Sequence, residues 1–187
     1  MEIIAGVDEA GRGPLAGPVV ASAVILPENH GIEGLADSKK LTAKKRKKLF
    51  DEINEAADVG IGIVSHRNID RINILQATFK AMRQAINKLE EPPHKSLIDG
   101  FGFSDQKLKN EGIIDGDNKV ESISAASIIA KVTRDGMMKD IDPIFPEYGF
   151  AKHKGYGTQY HMNALRKLKA CLLYTSDAAD DSLRVDL

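Results

Sequence analysis

Four acidic residues occur where apolar stretches of the chain end. Asp8 and Glu9 stand at the end of a run that starts at residue 2, Asp99 lies at the end of the stretch 95–100, and Asp117 lies in the sequence IIDGDNKVES. A single carboxylate at a strand end is usually a turn former or a helix cap. Because open α/β sheets build their sites where strands end, these segments could instead deliver their carboxylates to one place.

Carboxylates that meet in one place repel each other unless cations lie between them. Hard oxygen ligands of this kind suit Mg²⁺ or Mn²⁺. Zinc is disfavoured because no histidine or cysteine pair stands at ligand spacing. The four residues therefore predict a site for divalent cations.

The sequence GRGPLAGP directly follows the first acidic pair. Neighbouring side chains of a regular strand point to opposite faces, so Asp8 and Glu9 can share a site only if the strand ends or bulges at Ala10–Gly11. Glycine lets the main chain approach a ligand closely. The segment is therefore either a binding loop or simply a tight connection between strands.

The composition is that of a globular protein, with 42% hydrophobic and 28% charged residues in 187. The one cysteine, Cys171, excludes an internal disulfide framework and is typical of a reducing compartment. We found neither a bilayer-spanning apolar run nor a signal peptide. We therefore expect a cytoplasmic protein with no membrane association.

Positive charge is concentrated in DSKKLTAKKRKKL, residues 37–49. Residues 1–170 contain 25 basic and 23 acidic residues, whereas the remaining residues contain one basic and four acidic. A cationic cluster on a nearly neutral body favours contact with a polyanion, although it could also be the solvated face of a helix.

Hydrophobic periodicity predicts strands alternating with helices. A mixed sheet flanked by helices, in one α/β domain, follows from this order. Thr42 is the expected N-cap of the first helix. The predicted strands are 2–8, 19–26, 59–65 and 95–100, and the predicted helices are 43–56, 68–90, 122–141 and 158–169.

Several motifs together resemble bacterial ribonuclease HII over residues 3–168. They are GVDEAGRGPLAGPVVASAVIL, DSKKLT, RINILQATFKAM, LIDG, GDNKVESISAASIIAKVTRD and HKGYGT. The resemblance implies a ribonuclease H-like fold and an endonuclease that cuts the RNA strand of RNA–DNA hybrids. It also implies cleavage 5′ of ribonucleotides embedded in duplex DNA, which leaves 3′-hydroxyl and 5′-phosphate ends.

The resemblance also implies roles for individual residues. The metal ligands and catalytic residues would be Asp8, Glu9, Asp99 and Asp117, around two Mg²⁺ or Mn²⁺ ions. Gly11, Arg12 and Gly13 would read the ribose 2′-hydroxyl. Tyr156 would stack on the next sugar, unless it is only a half-buried loop residue.

Further residues of the resembling motifs are expected to contact the substrate. Lys39 and Lys40 would hold phosphates. Ser127 and Lys131, one helical turn apart, would face the nucleic-acid backbone or the site, although Ser124 and Ser127 could instead permit close helix packing. His153 and His161 are expected to be ordinary surface or loop residues.

Residues 171–187 depart from the family. We expect a catalytic domain over 1–170 and a tail over 171–187 that is either vector-derived sequence fused to a truncated gene or a divergent acidic, disordered segment. Residues 173–187 are expected to pack poorly. The expected protein is a monomer.

Three other functions remain open at this stage. The chain could be a ribonuclease HIII, although that family has an additional N-terminal domain. It could be another nuclease of the same superfamily, such as an integrase or a junction resolvase. It could also be a truncated, catalytically weak protein that only binds hybrids.

Overall fold

A five-stranded mixed sheet forms the centre of the protein. The computed structural model describes residues 2–171 and 173–174. The strand order is β3-β2-β1-β4-β5, with antiparallel pairs on the β3 side of β1 and parallel pairs on the β5 side. The strands are β1 (Ile4–Ala10), β2 (Val19–Ile25), β3 (Asp58–Val64), β4 (Lys95–Asp99) and β5 (Asn110–Ile113).

Helices cover both faces of the sheet, as the sequence predicts. Two short 3₁₀ turns, at 116–118 and 142–144, flank the long helix over residues 121–141. No helix among the described residues is both long and apolar enough to cross a bilayer. The helices are α1 (Ala43–Ala56), α2 (His66–Ile86), α3 (Glu121–Ile141), α4 (Phe150–His153) and α5 (Gln159–Leu168).

Small residues let the helices lie close to the sheet. A Cβ atom at Gly60 or Gly62 of β3 would overlap carbonyl oxygens of α2, and one at Gly6 of β1 would overlap the backbone of α3. The helix α2 therefore covers one face and α3 the other. The alternate glycines of β3 thus allow α2 to pack closely on this strand.

The bounds of α2 differ from the predicted 68–90, whereas those of α1 do not differ from the prediction. The helix α2 ends at Ile86 rather than near residue 90. The backbone N–H groups of Glu90 and Glu91, which follow this helix, donate hydrogen bonds to the Asp58 carboxylate. Asn73 has a left-handed φ of 64° inside α2, where its side chain accepts from the backbone of Gln76 and starts the helix again. The predicted α1 is confirmed, with Thr42 accepting from the backbone of Lys45.

An aromatic cluster closes the C-terminal part of the described chain. Phe150, Tyr148, Leu165 and Tyr174 are all buried in it. The expectation of poor packing is wrong at Tyr174, which is 5% exposed because its ring packs against Phe150 and Tyr148. Residue 172 and residues 175–187 lie outside the described residues, and the division at residue 170 stays a prediction.

Candidate active site

Three of the four predicted carboxylates meet at the carboxyl ends of the parallel strands. One ligand oxygen from each of Asp8, Asp99 and Asp117 lies within 4.8 Å of the others. We call these three residues the acidic cluster. Asp8 comes from β1, Asp99 ends β4, and Asp117 lies in the 3₁₀ turn before α3.

The sheet register explains why Asp8 and Asp99 share a face. Val7 pairs with Ile98 in the parallel β1–β4 ladder, and both side chains lie in the core under α2. The next residue of each strand, Asp8 and Asp99, therefore points toward α3.

Glu9 lies on the opposite face of β1 from Asp8. The sequence allows either a strand end or a bulge here, and the strand end is observed, since β1 ends at Ala10 and its pairing with β2 is regular up to Ala10↔Val20. The pairing with β4 stops at Val7, however, which opens that edge of β1. Both carboxylates consequently reach the same cleft, where Glu9 pairs with the Arg12 guanidinium at 3.3 Å.

Asp99 also shapes the turn that carries Asp117. Its Oδ1 accepts hydrogen bonds from the backbone N–H groups of Gly116 (2.8 Å) and Asp117 (3.3 Å). The turn is closed on the other side by Ser124, whose hydroxyl donates to the Asp117 carbonyl at 2.7 Å. The acidic cluster is therefore assembled by the protein's own hydrogen bonds.

Burial and mutual repulsion work against the charges of this site. Burial, then the charges of Glu9 and Asp99, raises the pKa of Asp8 well above its ordinary value. Burial and the charge of Asp99 likewise raise the pKa of Asp117. Burial also raises the pKa of Glu9, although Arg12 acts in the opposite direction.

The donor set fits a divalent cation. Three carboxylates on one face supply oxygen ligands, and a cation between them would remove the repulsion that raises their pKa values. Ser22, directly opposite Asp8 on β2, is fully buried and its hydroxyl has no partner within the described part of the chain. The site is thus short of positive charge and of one hydrogen-bond partner.

A cleft of about 580 Å³ runs from this site across the end of the sheet. It brings together nine of the twelve predicted site residues, whereas Asp99, Asp117 and Lys40 do not line it. The lining residues are Asp8, Glu9, Ala10, Gly11, Arg12, Gly13, Ser38, Lys39, Arg46, Ser127, Lys131 and Tyr156.

The two predicted phosphate-binding lysines have different surroundings. Partial burial lowers the pKa of Lys39, but the carboxylates of Asp37 and of the acidic cluster raise it by more, so its ammonium faces the site. Lys40 instead donates to the side-chain oxygen of Asn118, beside Asp117. Only Lys39 therefore faces the cleft.

Ser127 and Lys131 both reach the cleft from α3. Ser127 is buried and hydrogen-bonds Ser38 (Oγ–Oγ 3.0 Å) and Asp8, so it is more than a small packing residue. The Lys131 ammonium is 2.9 Å from Asp135 and lies 5.3 Å from the ring centre of Tyr156. Tyr156 is 39% exposed at the rim of the cleft.

Arg134 is a residue that the sequence analysis did not single out. It is 1% exposed, and its guanidinium donates to the carbonyls of Pro18 (3.0 Å), Ala16 (2.9 Å) and Lys154 (2.9 Å). It thereby ties the glycine–arginine loop, residues 11–18, to the turn that carries Tyr156. The sequence feature that could have indicated Arg134 is its position as a charged residue on α3, a helix rich in small residues.

The turn at Gly11 depends on glycine. Its φ is +112°, which side chains rarely adopt, and a Cβ there would overlap the Pro18 carbonyl and lie 2.6 Å from Arg134 Nε. Arg46, also not singled out, donates to the Ser38 carbonyl (2.6 Å) and supports the loop with Lys39. The cleft walls are thus held by buried or half-buried arginines.

Comparison with known proteins decides the family. The family model for ribonuclease HII matches residues 5–179. The chain belongs to the ribonuclease HII family. It is accordingly a hydrolase, a type 2 ribonuclease H, and membership implies cleavage of the RNA strand of RNA–DNA hybrids.

Individual relatives agree with this assignment. The ribonuclease HII of Acetivibrio thermocellus is 55% identical over 92% of this chain and 68% of its own length. The ribonuclease HII of Geobacter metallireducens is 54% identical over 91% of this chain and 81% of its own. The solved structure of Pyrococcus horikoshii OT3 ribonuclease H2 superposes with a TM-score of 0.79 at 26% identity, covering 96% of both chains. The predicted fold class is therefore confirmed.

Proposed function

We propose that this protein is an endonuclease that cuts on the 5′ side of ribonucleotides embedded in duplex DNA, as well as along the RNA strand of hybrids. The products carry 3′-hydroxyl and 5′-phosphate ends. The observation that carries the proposal is the convergence of Asp8, Asp99 and Asp117 beside a cleft walled by a glycine–arginine loop.

The acidic cluster and Glu9 are the proposed ligands of two divalent cations, Mg²⁺ or Mn²⁺. When bound, two such ions supply an activated water and positive charge beside the leaving 3′ oxygen. Ser127 orients the Asp8 carboxylate through its hydrogen bond, and the backbone of residues 116–117 orients Asp99. Arg12 pairs with the Glu9 carboxylate at 3.3 Å along the cleft wall and opposes the rise of its pKa.

Recognition of the ribonucleotide falls to the glycine–arginine loop. Gly11, Arg12 and Gly13 line the cleft, and the lack of side chains at the two glycines leaves main-chain groups able to approach a ribose 2′-hydroxyl. That hydroxyl is the group that distinguishes RNA from DNA at one position. The loop is therefore the proposed reader of the sugar.

The opposite rim holds the nucleotide that follows. Tyr156 presents an aromatic face on which a deoxyribose can stack, and an additional 2′-hydroxyl would crowd it. Lys39 supplies a phosphate contact, whereas Lys40 acts by holding Asn118 beside the acidic cluster. Lys131, poised over the Tyr156 ring, is proposed to contact the adjoining backbone phosphate.

A monomer in the cytoplasm is the proposed working state. The cleft and the acidic cluster are built from one chain, so catalysis requires no second copy. The content of one cysteine agrees with a reducing compartment.

The deciding experiment uses a DNA duplex with one ribonucleotide, labelled at either end of that strand. With Mg²⁺ or Mn²⁺ the protein should cut once, 5′ of the ribonucleotide, and leave a 3′-hydroxyl that a polymerase extends. The same duplex with only deoxyribonucleotides should remain intact. Binding of the duplex without cleavage in either metal would instead support the alternative of a hybrid-binding protein.

A further inference from the structure

His153 and His161 are buried directly behind the Tyr156 turn, residues 154–157. They are 7% and 0% exposed, so the expectation that they are ordinary surface or loop residues is wrong. Their rings stack with centroids 4.1 Å apart and planes 15° from parallel. Phe150 packs edge-on against both rings, at 5.8 and 5.7 Å, which holds the stack from the side.

The partners of His161 define its tautomer. Nδ1 lies 2.9 Å from the carbonyl oxygen of Tyr156, and a carbonyl can only accept, so Nδ1 carries the proton. Nε2 is then the acceptor, and the hydroxyl of Tyr174 donates to it. His161 thus donates to the residue whose ring lines the cleft.

His153 has the opposite tautomer. Its Nδ1 accepts from the backbone N–H of Gly155 at 3.1 Å, and its Nε2 donates to the carbonyl of Tyr148 at 2.8 Å. Its own carbonyl accepts from the N–H of Tyr156 at 2.9 Å. All four ring nitrogens of the stack are therefore satisfied.

The turn that receives these bonds needs external support. Lys154, two residues before Tyr156, has a left-handed φ of 54°, which a residue with a side chain rarely adopts, and Gly155 follows with a φ of +86°, which glycine permits. The conformation of Lys154 persists only where the surroundings hold it. Burial lowers the pKa of both histidines, that of His161 to about 4, so the rings are neutral near pH 7 and keep these tautomers.

We propose that the stacked histidines are positioning residues for Tyr156 and thereby determine how well the site accepts the nucleotide beyond a ribonucleotide. The proposal rests on the proposed function, in which Tyr156 stacks on that sugar. The His161 imidazole acts on the carbonyl of Tyr156, and the His153 imidazole acts on the N–H of Gly155, while the backbone carbonyl of His153 holds the N–H of Tyr156. Neither imidazole touches the substrate or the acidic cluster.

The first test reads the tautomers without substrate. Nitrogen-15 chemical shifts of the imidazoles should show His161 protonated at Nδ1 and His153 at Nε2 near pH 7, with the His161→Phe variant identifying the signals. A proton on Nε2 of His161 would mean that the bond to Tyr156 does not exist, and the proposal would be wrong.

The second test is a double-mutant cycle on the duplex with one ribonucleotide. His161→Phe keeps an aromatic ring in the stack, although a larger one, and removes the donor, so KM should rise about three- to tenfold with kcat within about twofold. In the Tyr156→Ala background the same change should raise KM by less than about twofold, because the aromatic ring that His161 positions is gone while the backbone carbonyl remains. Equal losses in both backgrounds would overturn the proposal.

Two further variants separate positioning from stability. His161→Asn places an amide N–H near the position of Nδ1, so its KM should lie between those of the wild type and His161→Phe. Leu165→Ala, in the same aromatic cluster but without a bond to the turn, should lower the melting temperature and leave KM unchanged. If Leu165→Ala raises KM as much as His161→Phe does, the histidines act only through stability.

The outcomes also distinguish the two proposals. A wild-type protein that does not cut at the ribonucleotide would refute the proposed function, whatever the imidazole shifts are. A wild-type protein that cuts as expected, with an additive cycle, would refute the positioning role alone. If His161→Phe does not fold, the tautomer measurement and His161→Asn still decide.

Discussion

Two groups of buried polar side chains support the same cleft in opposite ways. The acidic cluster collects like charges, and burial and repulsion raise the pKa values of Asp8 and Asp117. The histidine–tyrosine cluster, which consists of His153, His161, Tyr148 and Tyr174, is neutral near pH 7, and each imidazole nitrogen has a partner. The first group is short of positive charge, and the second is satisfied by its own hydrogen bonds.

The contrast separates a binding site from its support. Buried polar groups are normally paired, and burying like charges together costs folding free energy unless a ligand compensates. The acidic cluster therefore fits a bound cation, whereas the histidine–tyrosine cluster is a structural support for the Tyr156 turn. Both are buried and polar, so burial alone could not have told them apart.

The largest expected effect comes from removing one charge of the acidic cluster. Asp99→Asn keeps an acceptor for the N–H groups of Gly116 and Asp117 but removes a cation ligand, so cleavage should fall by roughly a hundredfold or more. The measurement is the initial rate on the duplex with one ribonucleotide. Asp115→Asn, an exposed neighbour outside the cluster, is the matched control and should retain activity. Equal activity of the two variants would exclude Asp99 as a ligand.

The two clusters should respond to acid with opposite signs. The pKa of His161 is about 4 in the folded protein and about 6.5 when unfolded, so its contribution to stability is complete above pH 6.5 and disappears as the pH falls toward 4. In His161→Phe the melting temperature should therefore fall less steeply than in the wild type as the pH is lowered from 6.5 to 4. An equally steep fall in His161→Phe would contradict the assignment.

Asp8 should show the reverse dependence in the absence of metal. Its raised pKa means that the folded protein binds a proton more tightly than the unfolded chain, so stability rises as the pH falls through that pKa. Asp8→Asn should accordingly melt a few degrees above the wild type at pH 7 in EDTA. Adding Mg²⁺ should raise the wild-type melting temperature and have less effect on the variant. A less stable Asp8→Asn in EDTA would show that the hydrogen bonds of the Asp8 carboxylate outweigh its burial and repulsion.

The smallest effect is expected at the hydroxyl of Tyr156. Tyr156→Phe keeps the aromatic face and should change KM by less than about twofold, whereas Tyr156→Ala should raise it roughly tenfold through lost stacking. Steady-state kinetics on the duplex with one ribonucleotide measure both. Equal effects of the two substitutions would mean that the hydroxyl, rather than the ring, makes the contact.

The sequence could predict those parts of the fold that local pattern controls. The bounds of α1 coincide with the prediction, because Thr42 caps it and Leu49 and Ile53 mark its buried face. The strand β5 was not predicted, since its four residues, NEGI, have no apolar alternation and depend on pairing with β4. The helix α4 is equally short and is stabilised by the burial of Phe150.

At the site, residue types could be predicted but side-chain faces could not. The acidic cluster could be predicted because Asp8 and Asp99 directly follow the last parallel pair of β1 and β4, Val7↔Ile98. The position of Glu9 depends on whether β1 bulges, and only the regular ladder with β2 answers that. The burial of His153 could not be predicted, because it depends on the short helix α4, where Phe150 packs against its ring. His161 lies four residues before Leu165 on α5, and both are buried on one face of that helix, so helical spacing was its only local signal.

Arg134 has a consequence for motion. Its one guanidinium holds carbonyls at Ala16, Pro18 and Lys154, so the two cleft walls, the glycine–arginine loop and the Tyr156 turn, are tied to each other. In amide hydrogen exchange the two walls should open together as one cooperative unit. A nucleotide bound against either wall would then rigidify both walls. The fixed width of the gap between them would match the distance between two successive nucleotides of the strand.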